Sequence, residues 1–301
     1  MSGVPIALVS ALLWAVGSVL MAVGAKRLHV LPLNLIRCLI STTFFWVLLP
    51  FYGGIPALAE ISPLQWLWMA VSVLGLLVLG DTLYFRSLDL AGVSWAMPVA
   101  SISPLWAVLL AAAFVGEPLS WPLLLGALLV VAGVSLLNLP ASVRKGQAQD
   151  PPEKGEGGDP GARRTGLLLA FLVSVLWAIG QVALKPGTEG IHSVVANCVR
   201  QPMGALMLLG LNLARGRWHE LRALDRRSWG AIAAASLIGT GLGTFLFVMA
   251  IQQVGAGRAA ILTSVAPLLA LPFSMLWLHE RPTKWTTMGT LLTTVGIGLV
   301  A

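Results

Sequence analysis

Ten apolar runs, separated by short polar or turn-forming breaks, constrain this chain more than any other feature. They lie near residues 4–24, 31–50, 64–88, 93–115, 121–139, 166–185, 193–213, 229–251, 257–278 and 284–301. A hydrocarbon core about 30 Å thick takes roughly 20 residues of helix to cross, and within it a helix satisfies its own backbone donors and acceptors. The runs predict an all-α integral membrane protein. Composition agrees: 57% of residues are hydrophobic and 10% are charged, against about 25% charged in a soluble domain. The formal net charge of +7 implies no nucleic-acid partner, because the basic residues fall mostly in the breaks and read as topology signals. No basic residue precedes the first run, so it reads as a retained span and not as a secretory signal. Cys38 and Cys198 both sit inside apolar runs, which leaves no disulfide framework or thiolate zinc site to expect.

Residues 140–165 break the pattern with Pro-Pro, Gly-Gly and dense charge, a composition that cannot bury apolar surface and predicts a flexible linker. Across it the chain repeats itself. Trp14-Ala-Val-Gly17 aligns with Trp177-Ala-Ile-Gly180 at an offset of 163 (177 − 14). The same ungapped offset pairs Asn34 and Arg37 with Asn197 and Arg200, Trp66 with Trp229, and Gly80 and Gly92 with Gly243 and Gly255. It also pairs Ser101 and Pro104 with Ser264 and Pro267, and Glu117, Gly126 and Gly133 with Glu280, Gly289 and Gly296. Trp, Arg, Asn, Pro and Glu are scarce here, so these matches mark two related units, 1–139 and 166–301.

Each unit holds five spans, an odd number, so equivalent helices cross the bilayer in opposite directions. An inverted 5+5 repeat is the architecture of secondary transporters, with the substrate site near the midplane between the halves. Charge agrees: segment 51–62 has no Lys or Arg, whereas its counterpart from 214 carries Arg215, Arg217, Arg222, Arg226 and Arg227.

The paired motifs resemble the drug/metabolite transporter superfamily, specifically its EamA-type ten-helix branch. The resemblance rests on Leu13-Trp14 and Leu176-Trp177, on Asn-x-x-Arg at Asn34/Arg37 and Asn197/Arg200, and on two longer stretches. These run from Ser101-Ile-Ser-Pro104 to Gly116-Glu117, Gly126 and Gly133, and from Ser264-Val-Ala-Pro267 to Glu280, Gly289 and Gly296. It implies transport of small metabolites, amino acids or drugs, in either direction. Of 19 Lys and Arg, 15 fall in the breaks after spans 1, 3, 5, 7 and 9, which by the positive-inside rule turns both termini outward, whereas family members are usually drawn with cytoplasmic termini.

A charge at the centre of a span costs about 2.5 to 3.5 kcal/mol on insertion scales and calls for a reason. Arg37 and Arg200 sit about six residues into their helices, placed either to hold an anionic group by charge-assisted hydrogen bonds or to satisfy neighbouring carbonyls and lipid phosphates. Asp81 is expected about seven residues inside the end of span 3, as a counter-ion to Arg37 or Lys185, as a proton-coupling carboxylate, or else placed at the interface. Arg86 is poorly placed to pair with it, since a spacing of five turns it away around the helix. Lys185 ends span 6 before Pro186-Gly187, near a cavity mouth or as a topology residue. Trp14 and Trp177 are mid-helix and supply either a ligand wall or lipid-facing packing. Asn34, Asn197, Tyr84 and Gln181 join them as candidate substrate contacts, with Ser18, Ser101 and Ser264 as further hydrogen-bonding groups. Pro98, Pro104, Pro267 and Pro272 remove backbone donors and are expected to bend spans 4 and 9 at comparable depths. Glu117 and Glu280 read as helix terminators at the interface, and His29, His192, His219 and His279 show no metal-ligand spacing.

The expectation is a secondary active or exchange transporter of the cell membrane, taken as an exporter of small metabolites such as amino acids or organic anions. Its partners are the substrate, a coupling proton or ion, and the lipid bilayer. No cofactor, nucleic acid or enzymatic cluster is expected, and no nucleotide-binding loop occurs. The rival readings are a flippase or scaffold for anionic lipid-linked substrates, and a multidrug exporter.

Overall fold

A computed structural model describes residues 3–24, 29–137, 160–216, 226–278 and 284–301. The described chain is helical between short turns. The first half comprises α1 (Gly3–Gly24), α2 (Val30–Leu48), α3 (Pro63–Ala91), α4 (Val93–Ala100), α5 (Ser103–Val115) and α6 (Trp121–Leu137). The second comprises α7 (Pro160–Gly187), α8 (Ser193–Ala214), α9 (Arg226–Ala235 continuing through Thr244–Val254), α10 (Ala256–Thr263), α11 (Ala266–Leu278) and α12 (Lys284–Val300). From α2 to α6 each helix starts 163 residues before its counterpart: Val30 and Ser193, Pro63 and Arg226, Val93 and Ala256, Ser103 and Ala266, Trp121 and Lys284. Among the described residues seven stretches are long and apolar enough to span a bilayer, one of them Trp95–Val115, which joins α4 to α5. The divided α10–α11 and the 17-residue α6 and α12 bring the spans to ten. Leu39, Val47, Phe51, Leu128 and Leu206 project outward with half or more of their surface exposed, as a lipid-facing exterior requires. The chain is an integral, multi-pass membrane protein.

Local chemistry sets the boundaries. Ser62 opens α3 with a capping box, its hydroxyl accepting from Gln65 N while the Gln65 side chain accepts from Ser62 N, and Pro63 takes the first turn, where no N–H is needed. His29 and His192, another pair at offset 163, cap α2 and α8 in the same way, each Nδ1 accepting from the backbone N–H two residues on. Gly92 and Gly255, with φ of 79° and 89°, make the sharp α3–α4 and α9–α10 corners that side-chain-bearing residues resist. The helix α7 starts at Pro160, so residues 160–165 of the expected linker are helical; 140–159 lie outside the described residues.

The direction of the halves is written in the packing of α6 on α12. A Cβ on Gly126 would lie 2.8 Å from Gly296 O, and one on Gly133 would lie 2.6 Å from Gly289 O. Position 126 therefore faces 296 while 133 faces 289, which only antiparallel helices allow. Because α6 and α12 are repeat equivalents, the two halves run in opposite directions. Absent side chains let the backbones close, the means by which membrane helices associate without a hydrophobic drive.

Candidate functional site

Between the halves lies a cavity of about 590 Å³ lined by 25 residues. Twenty-two of them form eleven pairs at offset 163, from Trp14/Trp177 and Arg37/Arg200 to Pro104/Pro267; only Leu76, Val134 and Ala270 stand outside the pairing. The site is thus built twice by the same sequence pattern, and its chemistry is set where the pairs differ. Asp81 is matched by Thr244, Tyr84 by Phe247, Ser18 by Gln181, and Leu77 by Thr240.

The tryptophans are held by glycines of the opposite half. A Cβ on Gly243 would come within 2.6 Å of Trp14 Cδ1, and one on Gly80 within 2.6 Å of Trp177 Cδ1. Trp14 packs at 4.9 Å and 53° against Phe247, and Trp177 at 4.9 Å and 52° against Tyr84. Each indole is thereby a wall of the cavity and a contact between halves.

The arginines also cross between halves. Arg37 donates to Asn34 Oδ1 at 2.8 Å on its own helix and to Thr240 Oγ1 at 3.2 Å in α9, and its guanidinium lies 3.7 Å from the Asp81 carboxylate. Arg200 donates to Asn197 Oδ1 at 2.9 Å and to Ser72 Oγ at 3.2 Å in α3. Only 1% of Arg200 is exposed, and its Nε has no partner among the described residues. Among the described residues the Arg37–Asp81 pair is the salt bridge found, so Arg200 faces the cavity without a carboxylate. A buried guanidinium in that state is costly unless an anion completes it.

Several expected residues take other places. Asn34 and Asn197 do not line the cavity; three residues before their arginines on the same helix face, they orient the guanidinium groups. Lys185 does not line it either, lying one turn beyond Gln181 towards the end of α7. The counter-ion of Asp81 is Arg37, and with α3 running to Ala91 the carboxylate is ten residues inside that helix end (91 − 81). Pro98 and Pro272 are interior to α4 and α11. Pro104 and Pro267 instead occupy the second positions of α5 and α11, where the missing N–H costs nothing. Spans 4 and 9 are therefore broken rather than bent, at 101–102 and 264–265, and the broken ends reach the cavity through Ser101, Ser103, Ser264 and Ala266. The Ser103 hydroxyl is buried without a partner among the described residues.

Three features escaped sequence reasoning. Both α3 and α9 widen to π geometry at equivalent depth, Leu74–Val78 and Ser236–Gly243, beside the lining residues Leu77 and Thr240. Glu117, expected only to end a helix, accepts hydrogen bonds from Ala256 N and Gly257 N of the opposite half. Ser72 and Thr240 anchor the arginines. The wide helix turns have no composition signature, and the other contacts join residues more than 125 positions apart. Glu280, His219 and His279 lie outside the described residues.

Known proteins match this arrangement. The profile of the EamA-like transporter family matches residues 1–139 and 164–301. An uncharacterized transporter of Archaeoglobus fulgidus is 26% identical over 275 residues, covering 91% of this chain and 88% of that one. An uncharacterized transporter of Synechocystis sp. is 28% identical over 180 residues, 58% of this chain and 53% of that one. A solved structure described only as a crystal structure of a protein shares the fold, with a TM-score of 0.79 at 20% identity over 99% of this chain and 94% of its own. The two family matches, one in each half of a cavity built from repeat pairs, place this chain in the EamA-like transporter family.

Proposed function

We propose that the chain is a secondary carrier that moves small anionic or zwitterionic metabolites, such as amino acids or organic anions, by alternating access, with export as its direction. The observation that carries this reading is the charge state of the cavity. Arg37 is offset by Asp81, while Arg200 is buried, faces the space and has no carboxylate among the described residues. An entering carboxylate or phosphate would complete Arg200 through charge-assisted bonds, and the apolar walls of Trp14, Trp177 and Phe247 would take the remainder of a small molecule. A substrate with a cationic group would find Asp81 at the other charged position. Asp81 is also the group on which a coupling proton would act.

In this reading the units 1–139 and 166–301, joined by 140–165, rock about the cavity, and the charge count sets the termini outward in the cell membrane. The test is counterflow in proteoliposomes holding unlabelled candidate metabolites. Accumulation of a labelled carboxylate or zwitterion that is lost in Arg200→Ala supports the reading. Counterflow of cationic dyes alone, unaffected by that change, refutes it in favour of a multidrug exporter.

A further inference from the structure

We infer that Glu117 is the latch that closes the cavity towards the face of the membrane carrying the N-terminus, and that α10 is the lever joining this latch to the substrate. The inference rests on the alternating-access reading above. Glu117 follows the C-terminal end of α5, and its two carboxylate oxygens accept from Ala256 N at 2.5 Å and Gly257 N at 3.0 Å, the first two residues of α10. Charge favours the contact twice: the bonds are charge-assisted, and an anion is stabilised at a helix N-terminus. The contact lies at the N-terminal face, since a Cβ on Gly3 would come within 2.7 Å of Val254 Cγ1, two residues before α10.

The fit is close. A Cβ at Gly255 would lie 2.6 Å from Glu117 Oε1, and one at Gly257 3.2 Å from Val108 Cα and 3.3 Å from Glu117 Oε2. Position 255 also has φ of 89°, so both the corner and the carboxylate require glycine there. Other cross-half bonds near this face, Gln65 Nε2 to Glu189 O at 2.8 Å and Trp46 Nε1 to Cys198 O at 3.1 Å, are single neutral bonds from residues that do not line the cavity.

The opposite end of α10 is substrate territory. Ala260, Thr263 and the following Ser264 line the cavity, about one to two turns from the latch. Eight residues long, α10 is parted along the chain from α9 by the Gly255 corner and from α11 by the break at 264–265, and it is packed in the core between the two halves. At the break Thr263 Oγ1 donates to Ala259 O at 2.7 Å and Ser264 Oγ to Ile261 O at 2.8 Å. A ligand that recruits either hydroxyl changes how α10 is held at one end, and the latch is its fixed point at the other.

The test is cysteine accessibility of the full-length protein in intact cells and inverted vesicles, in a background with Cys38→Ala and Cys198→Ser. A Ser264→Cys reporter is labelled by a membrane-impermeant maleimide from each side. Glu117→Gln, which has one acceptor where two N–H groups need two, is expected to raise the labelling rate from the N-terminal face about tenfold. Glu117→Asp, whose shorter carboxylate keeps the charge, is expected to raise it less. An unchanged rate from that face in Glu117→Gln overturns the latch; should that variant not fold, an unchanged rate in Glu117→Asp does so. A parent protein whose reporter is labelled from neither face has no access path to this cavity and overturns the alternating-access reading itself, a result distinct from failure of the latch.

Discussion

Alanine at position 243 tests whether Trp14 is held between the halves as described. The new methyl would stand 2.6 Å from Trp14 Cδ1 and 2.8 Å from Nε1, with its next neighbour, Ile238 O, at an ordinary 3.5 Å. Carbon atoms rest at about 3.5 to 4.0 Å, so the indole must retreat by about 1 Å. Overpacking of this kind costs about 1 to 3 kcal/mol. The same substitution removes a helix glycine, a gain of about 0.8 to 1.0 kcal/mol. Gly243→Ala should therefore be destabilising by about 1 kcal/mol in the parent. In a Trp14→Leu background, where the indole is gone, it should become stabilising by just under 1 kcal/mol. Reversible denaturant unfolding in detergent measures both values. The change of sign is the signature. Equal effects in the two backgrounds, within the roughly 0.3 to 0.5 kcal/mol by which independent sites add, would refute the cross-half contact.

The same packing logic predicts that Gly133→Ala, whose methyl would meet Gly289 O at 2.6 Å, destabilises by about 1 to 3 kcal/mol in the same unfolding experiment. Gly298→Ala, with open space around it, should be neutral or slightly stabilising. Arg200→Lys should not restore ligand binding lost in Arg200→Ala, since an ammonium cannot serve Asn197, Ser72 and a ligand in the guanidinium's planar fork; calorimetric titration with a bound carboxylate decides this. His192 supplies a pH dependence. Its Nδ1 accepts from Val194 N and so must be unprotonated, and burial holds its pKa below the ordinary 6.5. A group depressed on folding contributes stability that is complete above the unfolded value and is lost as pH falls through the folded one. Thermal stability should therefore fall by the share this cap contributes as pH drops below about 6.5. His192→Asn, which keeps the cap without titrating, should remove that share.

The number and length of the helices were legible because lipid imposes a strong rule on sequence: long apolar runs and few charges. The repeat was legible for a different reason. An ungapped offset of 163 turns scarce residues such as Trp14 and Arg37 into a pairing that carries through to eleven pairs lining one cavity. What sequence could not show was which member of a motif faces the space. Asn34 and Arg37 stand three apart on one helix face, so spacing alone does not tell the ligand-facing group from the one that orients it. Lys185 invited a role in the cavity by its charge and its proline, but one further turn of α7 takes it past the lining residues. Pro104 and Pro267 marked the correct depth of the discontinuity yet suggested a bend, because a proline inside a long apolar run looks the same whether it interrupts a helix or begins one. Glu117 was missed since its partners are backbone N–H groups 139 and 140 residues away, which leave no side-chain signal.

The central claim is that an anionic group of the substrate completes Arg200 within the cavity. The most direct measurement is a thermal-stability screen of the purified protein against amino acids, organic anions, lipid headgroups and cationic dyes, repeated on Arg37→Ala and Arg200→Ala. The account predicts stabilisation by a carboxylate-bearing compound that vanishes in Arg200→Ala while that variant remains folded. Stabilisation of equal size in the parent and both variants would contradict it and return the arginines to a purely structural role.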